Sequence, residues 1–232
     1  MKLVLICLLL LVIFSLKAEV FARSERFIRE ASEGQINEAL QKTVPIRFLP
    51  NQTLYFLISI KETFNRFFQP SSVKRAEFDL ILSGKRLKET YLLLEKDDTK
   101  SASQNLKRYA HRVEKMIGQF EKARSQNQTV ETLADLTAEN LRSHEILFFA
   151  IFEKGKLKDD KFNFDENFEI AVDAFIKSVG AIDSVKPGLR NRFKTVTEAA
   201  KLHQQIPPPV FVEPNLLEAS PSPSVKPRRI IY

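Results

Sequence analysis

Residues 71–96 read SSVKRAEFDLILSGKRLKETYLLLEK, and their spacing decides the fold. Val73, Leu80, Leu87 and Leu94 recur every seven residues, with Ala76, Ser83 and Thr90 at the intervening positions. An apolar stripe of that period, with small side chains beside it, specifies a helix packed closely against nearly antiparallel neighbours. Ser71 or Ser72 caps its start by accepting a bond from a free backbone N–H. Gly84 costs about 1 kcal/mol of helix propensity, and the expected return is a close helix crossing.

The pattern extends in both directions. Upstream, a helix is expected from about Thr53 to Phe68, with Leu54, Leu57, Ile58, Phe64, Phe67 and Phe68 on a wide apolar face, ended by Pro70. Downstream, Lys96-Asp97-Asp98 makes a turn, and Thr99 or Ser101 opens a helix carrying Leu106, Tyr109, Val113, Met116 and Phe120. Ser125-Gln126-Asn127-Gln128 breaks it. A fourth helix then begins near Thr129 with Val130, Leu133, Thr137, Leu141, His144, Phe148 and Ile151 in its stripe. Asn163 or Asp165 caps a fifth with Phe168, Val172, Phe175, Val179 and Ile182 inward. Pro187 suits the first turn of a sixth, with Leu189, Phe193, Val196, Ala200 and His203, because its missing N–H is harmless there.

The expected fold is all-α, a bundle of five or six antiparallel helices over residues 49–206. Residues 23–48 form an N-terminal arm, either loose or a short helix, whose weak pattern breaks at Gly34. Residues 207–232 hold seven of the eleven prolines and read as a disordered tail. Gly is scarce at six residues and Phe abundant at nineteen, so the core is expected to be built on Phe and Leu.

The first twenty-two residues concern location. Lys2 precedes an apolar run, Leu3–Leu16, interrupted only by Ser15, and Val20-Phe21-Ala22 offers a peptidase site, with cleavage expected between Ala22 and Arg23. The chain is therefore expected outside the cytoplasm, in the cell envelope or secreted. The alternative is anchoring by an uncleaved Leu3–Leu16 segment. Removal of residues 1–22 takes away Lys2, Lys17, Glu19 and the only cysteine, Cys7, and lowers the formal charge from +7 to +6. No disulfide or thiolate chemistry is then possible.

The basic surplus does not point to nucleic acid, because its charges are interspersed. Lys74 and Arg75 precede Glu77 and Asp79, and Lys85, Arg86 and Lys88 precede Glu89. Mixed signs on a helix are read as a solvated face with local ion pairs.

The sequence offers no recognisable catalytic constellation. His144-Glu145 resembles the start of a zinc-protease helix, but Phe148 stands where a second histidine is needed. The residues three before His111, His144 and His203 are Arg108, Leu141 and Ala200, so a di-iron bundle site is absent. His144 and His203 fall on apolar stripes and are read as core histidines. No metal, cofactor or catalytic residue is expected.

The segment Phe148-Phe149…Phe152, with Ile146, Leu147 and Ile151, is apolar nearly all round. Such a helix is central in a bundle or lies against a partner, which makes Phe148, Phe149 and Phe152 a candidate interaction surface. A second candidate is the C-terminal Arg228-Arg229-Ile230-Ile231-Tyr232, able to dock as an extended peptide.

Leu49-Pro50, Leu54-Tyr55-Phe56-Leu57 and Glu62, followed by Lys74-Arg75-Ala76-Glu77 and Arg86-Leu87-Lys88-Glu89, form a recognisable series. It resembles an uncharacterised bacterial domain-of-unknown-function family found behind signal peptides or membrane anchors, over about residues 45–120. The resemblance implies a long-helix extracytoplasmic domain and brings no catalytic residues.

The function expected is a non-enzymatic, exported helical interaction or scaffold domain with an envelope protein as partner. One alternative is association with an anionic membrane surface. Another is a carrier or enzyme using a Phe-lined pocket between helices.

Overall fold

A computed structural model describes residues 31–156 and 161–196, without the side chains of 156 and 161–165. Residues 1–22, the cleavage positions Ala22 and Arg23, His203 and the whole of 207–232, including Arg228 to Tyr232, lie outside the described residues. Those described form α1 (Glu33–Lys42), α2 (Tyr55–Phe67), α3 (Ser72–Glu95), α4 (Thr99–Ser125), α5 (Glu131–Lys156), α6 (Lys161–Asp183) and a 3-10 turn (Leu189–Arg192). The fold is all-α, with no strand among the described residues.

The caps follow from side chains that satisfy open backbone N–H groups. Ser71 starts α3 by accepting from Lys74 N, and Asp98 starts α4 by accepting from Ser101 N at 3.0 Å. Asp97 and Asn127, both at positive φ, reverse the chain after α3 and α4. Ser32 and Gln35 form a capping box at the start of α1, and Gly34 sits inside its first turn rather than breaking it.

Successive long helices alternate in direction, but α5 lies beside α3, and α6 beside α4. Glu95 near the end of α3 meets Lys154 near the end of α5, so these two helices run side by side in the same direction. Likewise Asn167, early in α6, donates to Ser103, early in α4. The stripes converge on one core: Leu80, Leu87, Leu94, Leu106, Val113, Leu141, Phe148, Val172 and Val179 are all buried. Edge-to-face rings bind it together, with Phe148 5.2 Å from Tyr109 and 5.7 Å from both Phe168 and Phe175. That geometry suits the ring quadrupoles.

Gly84 faces α5 at a close crossing. A Cβ added there would stand 2.9 Å from His144 Nε2. His144 is buried, and its Nδ1 lies 3.4 Å from the Tyr109 hydroxyl. Burial pulls its pKa down from 6.5 to about 3. The unfolded chain therefore takes up a proton near pH 6.5 that the folded protein refuses until about pH 3. This contribution is fully present above the unfolded pKa. It is lost as the pH falls through that window, by up to about 1.4 kcal/mol per pH unit. Urea denaturation between pH 7 and 5 is expected to show a shallower loss of stability in His144→Leu than in the unaltered chain.

The sixth helix begins differently from its expectation. Pro187 does not open an α-helix, because Gly188 follows at φ +93° and the chain turns. Asp183 Oδ1 accepts from Gly188 N at 2.9 Å and Arg190 N at 3.0 Å, fixing a 3-10 turn instead. Leu189, Phe193 and Val196 still reach the core.

Phe148, Phe149 and Phe152 are buried and form no surface. α5 is apolar on nearly every side there because α3, α6 and the Tyr109 ring of α4 cover it. Phe152 and Phe168 stand 5.6 Å apart within the core cluster.

Candidate interaction surface

α2 is oriented opposite to its expectation. At 100° per residue, Phe56, Leu57, Ile60, Phe64, Phe67 and Phe68 fall within one arc of about 120°. Tyr55, Glu62 and Arg66 fall on the opposite side. In the fold it is Tyr55 and Glu62 that are buried, at 7% and 6% exposure, while Phe64, Phe67 and Phe68 are exposed at 60%, 74% and 72%. The whole apolar arc is exposed, and Leu54 just before it as well. With about 200 Å² for each Phe, the open apolar surface sums to roughly 700 Å². That exceeds the largest patch of a typical monomer. Among the described residues, no helix is long and apolar enough to cross a membrane.

What holds α2 is charge. Lys85 Nζ donates to Glu62 Oε1 at 2.5 Å, and Arg86 donates to Glu62 Oε2. Arg86 Nη1 also donates to Glu89 Oε2 at 2.7 Å and to the Tyr55 hydroxyl. That hydroxyl donates in turn to Glu89, at 3.0 Å to Oε2. At the far end of α2, Arg66 Nε meets both oxygens of Asp79 at 2.9 and 2.8 Å, and Arg112 of α4 reaches Asp79 Oδ1 at 3.2 Å. Asp79, Lys85, Arg86 and Glu89 are all buried. The reading of Lys85, Arg86, Asp79 and Glu89 as a solvated face is therefore corrected: α2 lies over them and supplies their partners. The Lys74–Glu77 pair at 2.7 Å, in contrast, does involve an exposed cation.

Three carboxylates (Glu62, Asp79 and Glu89) thus face four cations (Arg66, Lys85, Arg86 and Arg112). Burial alone would lower the pKa of Arg86, but Glu89 and Glu62 outweigh it and hold the guanidinium above its ordinary value. Burial, then Glu89, raises the Tyr55 phenol, so it remains a neutral donor. Arg108 of α4 adds a further cation 5.7 Å from the Tyr55 ring centroid. At Lys115, one helical face further along α4, burial and then the charges of Arg112 and Arg66 lower the pKa. The base of α2 is consequently cationic.

The sequence carried a signal for this arrangement. Tyr55, Glu62 and Arg66 follow helical spacing as regularly as the apolar residues opposite them, and Asp79, Arg86 and Glu89 share a face of α3. Tyr55, Glu62, Arg86 and Glu89 belong to the series on which the family resemblance rests, and the fold brings all four together.

A separate cleft of about 370 Å³ lies where the chain leaving α1 meets α3 and α5, lined in part by Thr43, Pro45, Leu80, Gly84, Asn140 and His144. No Phe lines it.

Nothing among curated proteins or solved structures matches this chain. Residues 47–145, the segment that contains every member of the buried charge network and the whole of α2, match the family described as Domain of unknown function (DUF5667).

Proposed function

We propose that the chain is a non-enzymatic interaction domain of the cell envelope whose working surface is the outward face of α2. One observation carries this reading: α2 is held by buried ion pairs on its polar side and turns six large apolar side chains to solvent. A helix kept only for folding gains by burying its apolar arc, since each fully buried Leu, Ile or Phe contributes about 1.5–3 kcal/mol. Here that arc is left open and a costlier polar attachment is used instead. The apolar run Leu3–Leu16 supports placement outside the cytoplasm.

The test is a cross-linking capture from the source cell envelope, with residues 23–232 as bait beside the same chain carrying Phe64→Ser, Phe67→Ser and Phe68→Ser. All three side chains are exposed, so the altered bait is expected to keep its stability. A bound component held by the first bait and reduced at least tenfold by the second is the expected result. Equal retention by both baits contradicts the reading.

A further inference from the structure

The charges around the outward face of α2 select among occupants. Glu62 is the only acidic residue of α2, and it is buried against Lys85 and Arg86. Exposed Lys61 borders the apolar arc beside Leu57 and Phe68, and exposed Arg47 precedes the helix. Behind the helix stand Arg108 and Arg112 of α4. A helix with Phe, Leu and Ile on one side and cations at its margin and base has the composition of an element that lies in the lipid–water interface. Its apolar side chains reach the acyl boundary, and the exposed marginal cations Lys61 and Arg47 meet headgroup phosphates.

A second copy of the chain fits less well. The middle residue of α2 is Lys61, so a two-fold antiparallel pairing of the two faces would bring Lys61 against its own counterpart.

We infer that the outward face of α2 docks on an anionic lipid surface, with Phe64, Phe67 and Phe68 entering the interface and Lys61 at the headgroup level. This rests on the reading of α2 as the working surface and names what it meets. The charged network then has a mechanical role: it fixes the helix with its polar side towards the bundle, so that the apolar side is presented without unfolding.

The chain contains no tryptophan, which allows a single reporter to be placed in the full chain. Phe64→Trp sits on the proposed face, and Leu136→Trp replaces an exposed apolar side chain on α5 as the reference. Emission is read with phosphatidylglycerol–phosphatidylcholine vesicles, with phosphatidylcholine vesicles alone, and with brominated lipid in each.

The expected result is a blue shift and strong quenching of Phe64→Trp with the anionic vesicles. Lys61→Glu and raised salt should weaken both at least threefold, while Leu136→Trp stays unquenched. The residue 23–232 chain should behave likewise, which separates α2 from the Leu3–Leu16 segment. Emission of Phe64→Trp unchanged by anionic vesicles overturns the inference. So does an emission already blue-shifted in dilute solution without lipid, which means that another segment of this chain covers the face. A blue shift that grows with protein concentration alone means a second copy, and overturns the lipid partner while leaving the interaction surface intact. Loss of that surface altogether is read separately, from equal capture by the two baits.

Discussion

Arg86→Met is expected to lower the unfolding free energy by about 3–5 kcal/mol, while Phe67→Ser on α2 changes it by no more than about 0.5 kcal/mol. The usual order of costs on a bundle helix is inverted here. Arg86 is the one cation that bonds Glu62, Glu89 and the Tyr55 hydroxyl together. Its removal leaves two buried carboxylates with Lys85 as their neighbour and takes away one of the two partners that tie the Tyr55 hydroxyl to α3, leaving Glu89. Phe67 touches the edge of Phe68 and otherwise meets solvent. Urea denaturation followed by circular dichroism measures both. A loss below 1 kcal/mol in Arg86→Met means the network contributes little to holding α2. Simultaneous replacement of the network by well-packed apolar residues need not destabilise the fold, because the ion pairs are themselves costly to desolvate.

Phe148→Ala is expected to cost a similar 3–5 kcal/mol, for a different reason. Its ring is fully buried and meets those of Tyr109, Phe168 and Phe175, so truncation leaves a cavity at the point where α4, α5 and α6 converge. The melting temperature should fall by on the order of 10 °C for a domain of this size. A fall of only one or two degrees would mean that the aromatic cluster collapses freely around the gap. It would also reopen Phe148 as part of an exposed surface.

These two positions mark where the sequence was legible and where it was not. The stripes of α3, α4, α5 and α6 could be read because their burial is apolar, and apolar recurrence at helical spacing reports the buried side directly. Leu80 and Leu87, or Phe168 and Phe175, face inward as that rule requires. On α2 the same rule pointed the wrong way. Phe64, Phe67 and Phe68 recur on one face, but the face that packs is the one with Tyr55, Glu62 and Arg66. Their partners Asp79, Arg86 and Glu89 belong to α3 and Arg112 to α4, so nothing within α2 itself shows that its polar side is matched. Local mixing of Lys85, Arg86 and Glu89 looked like solvent exposure for the same reason. Pro187 misled in a smaller way. Proline at a helix start is common, but Gly188 at positive φ and the two bonds to Asp183 turned that stretch into a 3-10 turn. The family series was the sequence feature nearest to the site, since four of its residues meet in the buried network.

The outward orientation of the apolar side of α2 is read by thiol labelling of the chain in a Cys7→Ser background, which removes its only native thiol. Single replacements Ile60→Cys and Phe64→Cys probe the outward arc, and Ala102→Cys, fully buried on α4, is the protected reference. Ile60→Cys and Phe64→Cys are expected to be modified at rates near those of an unstructured peptide, with Ala102→Cys at least a hundredfold slower. Protection of Ile60→Cys and Phe64→Cys to the level of Ala102→Cys would contradict the outward orientation.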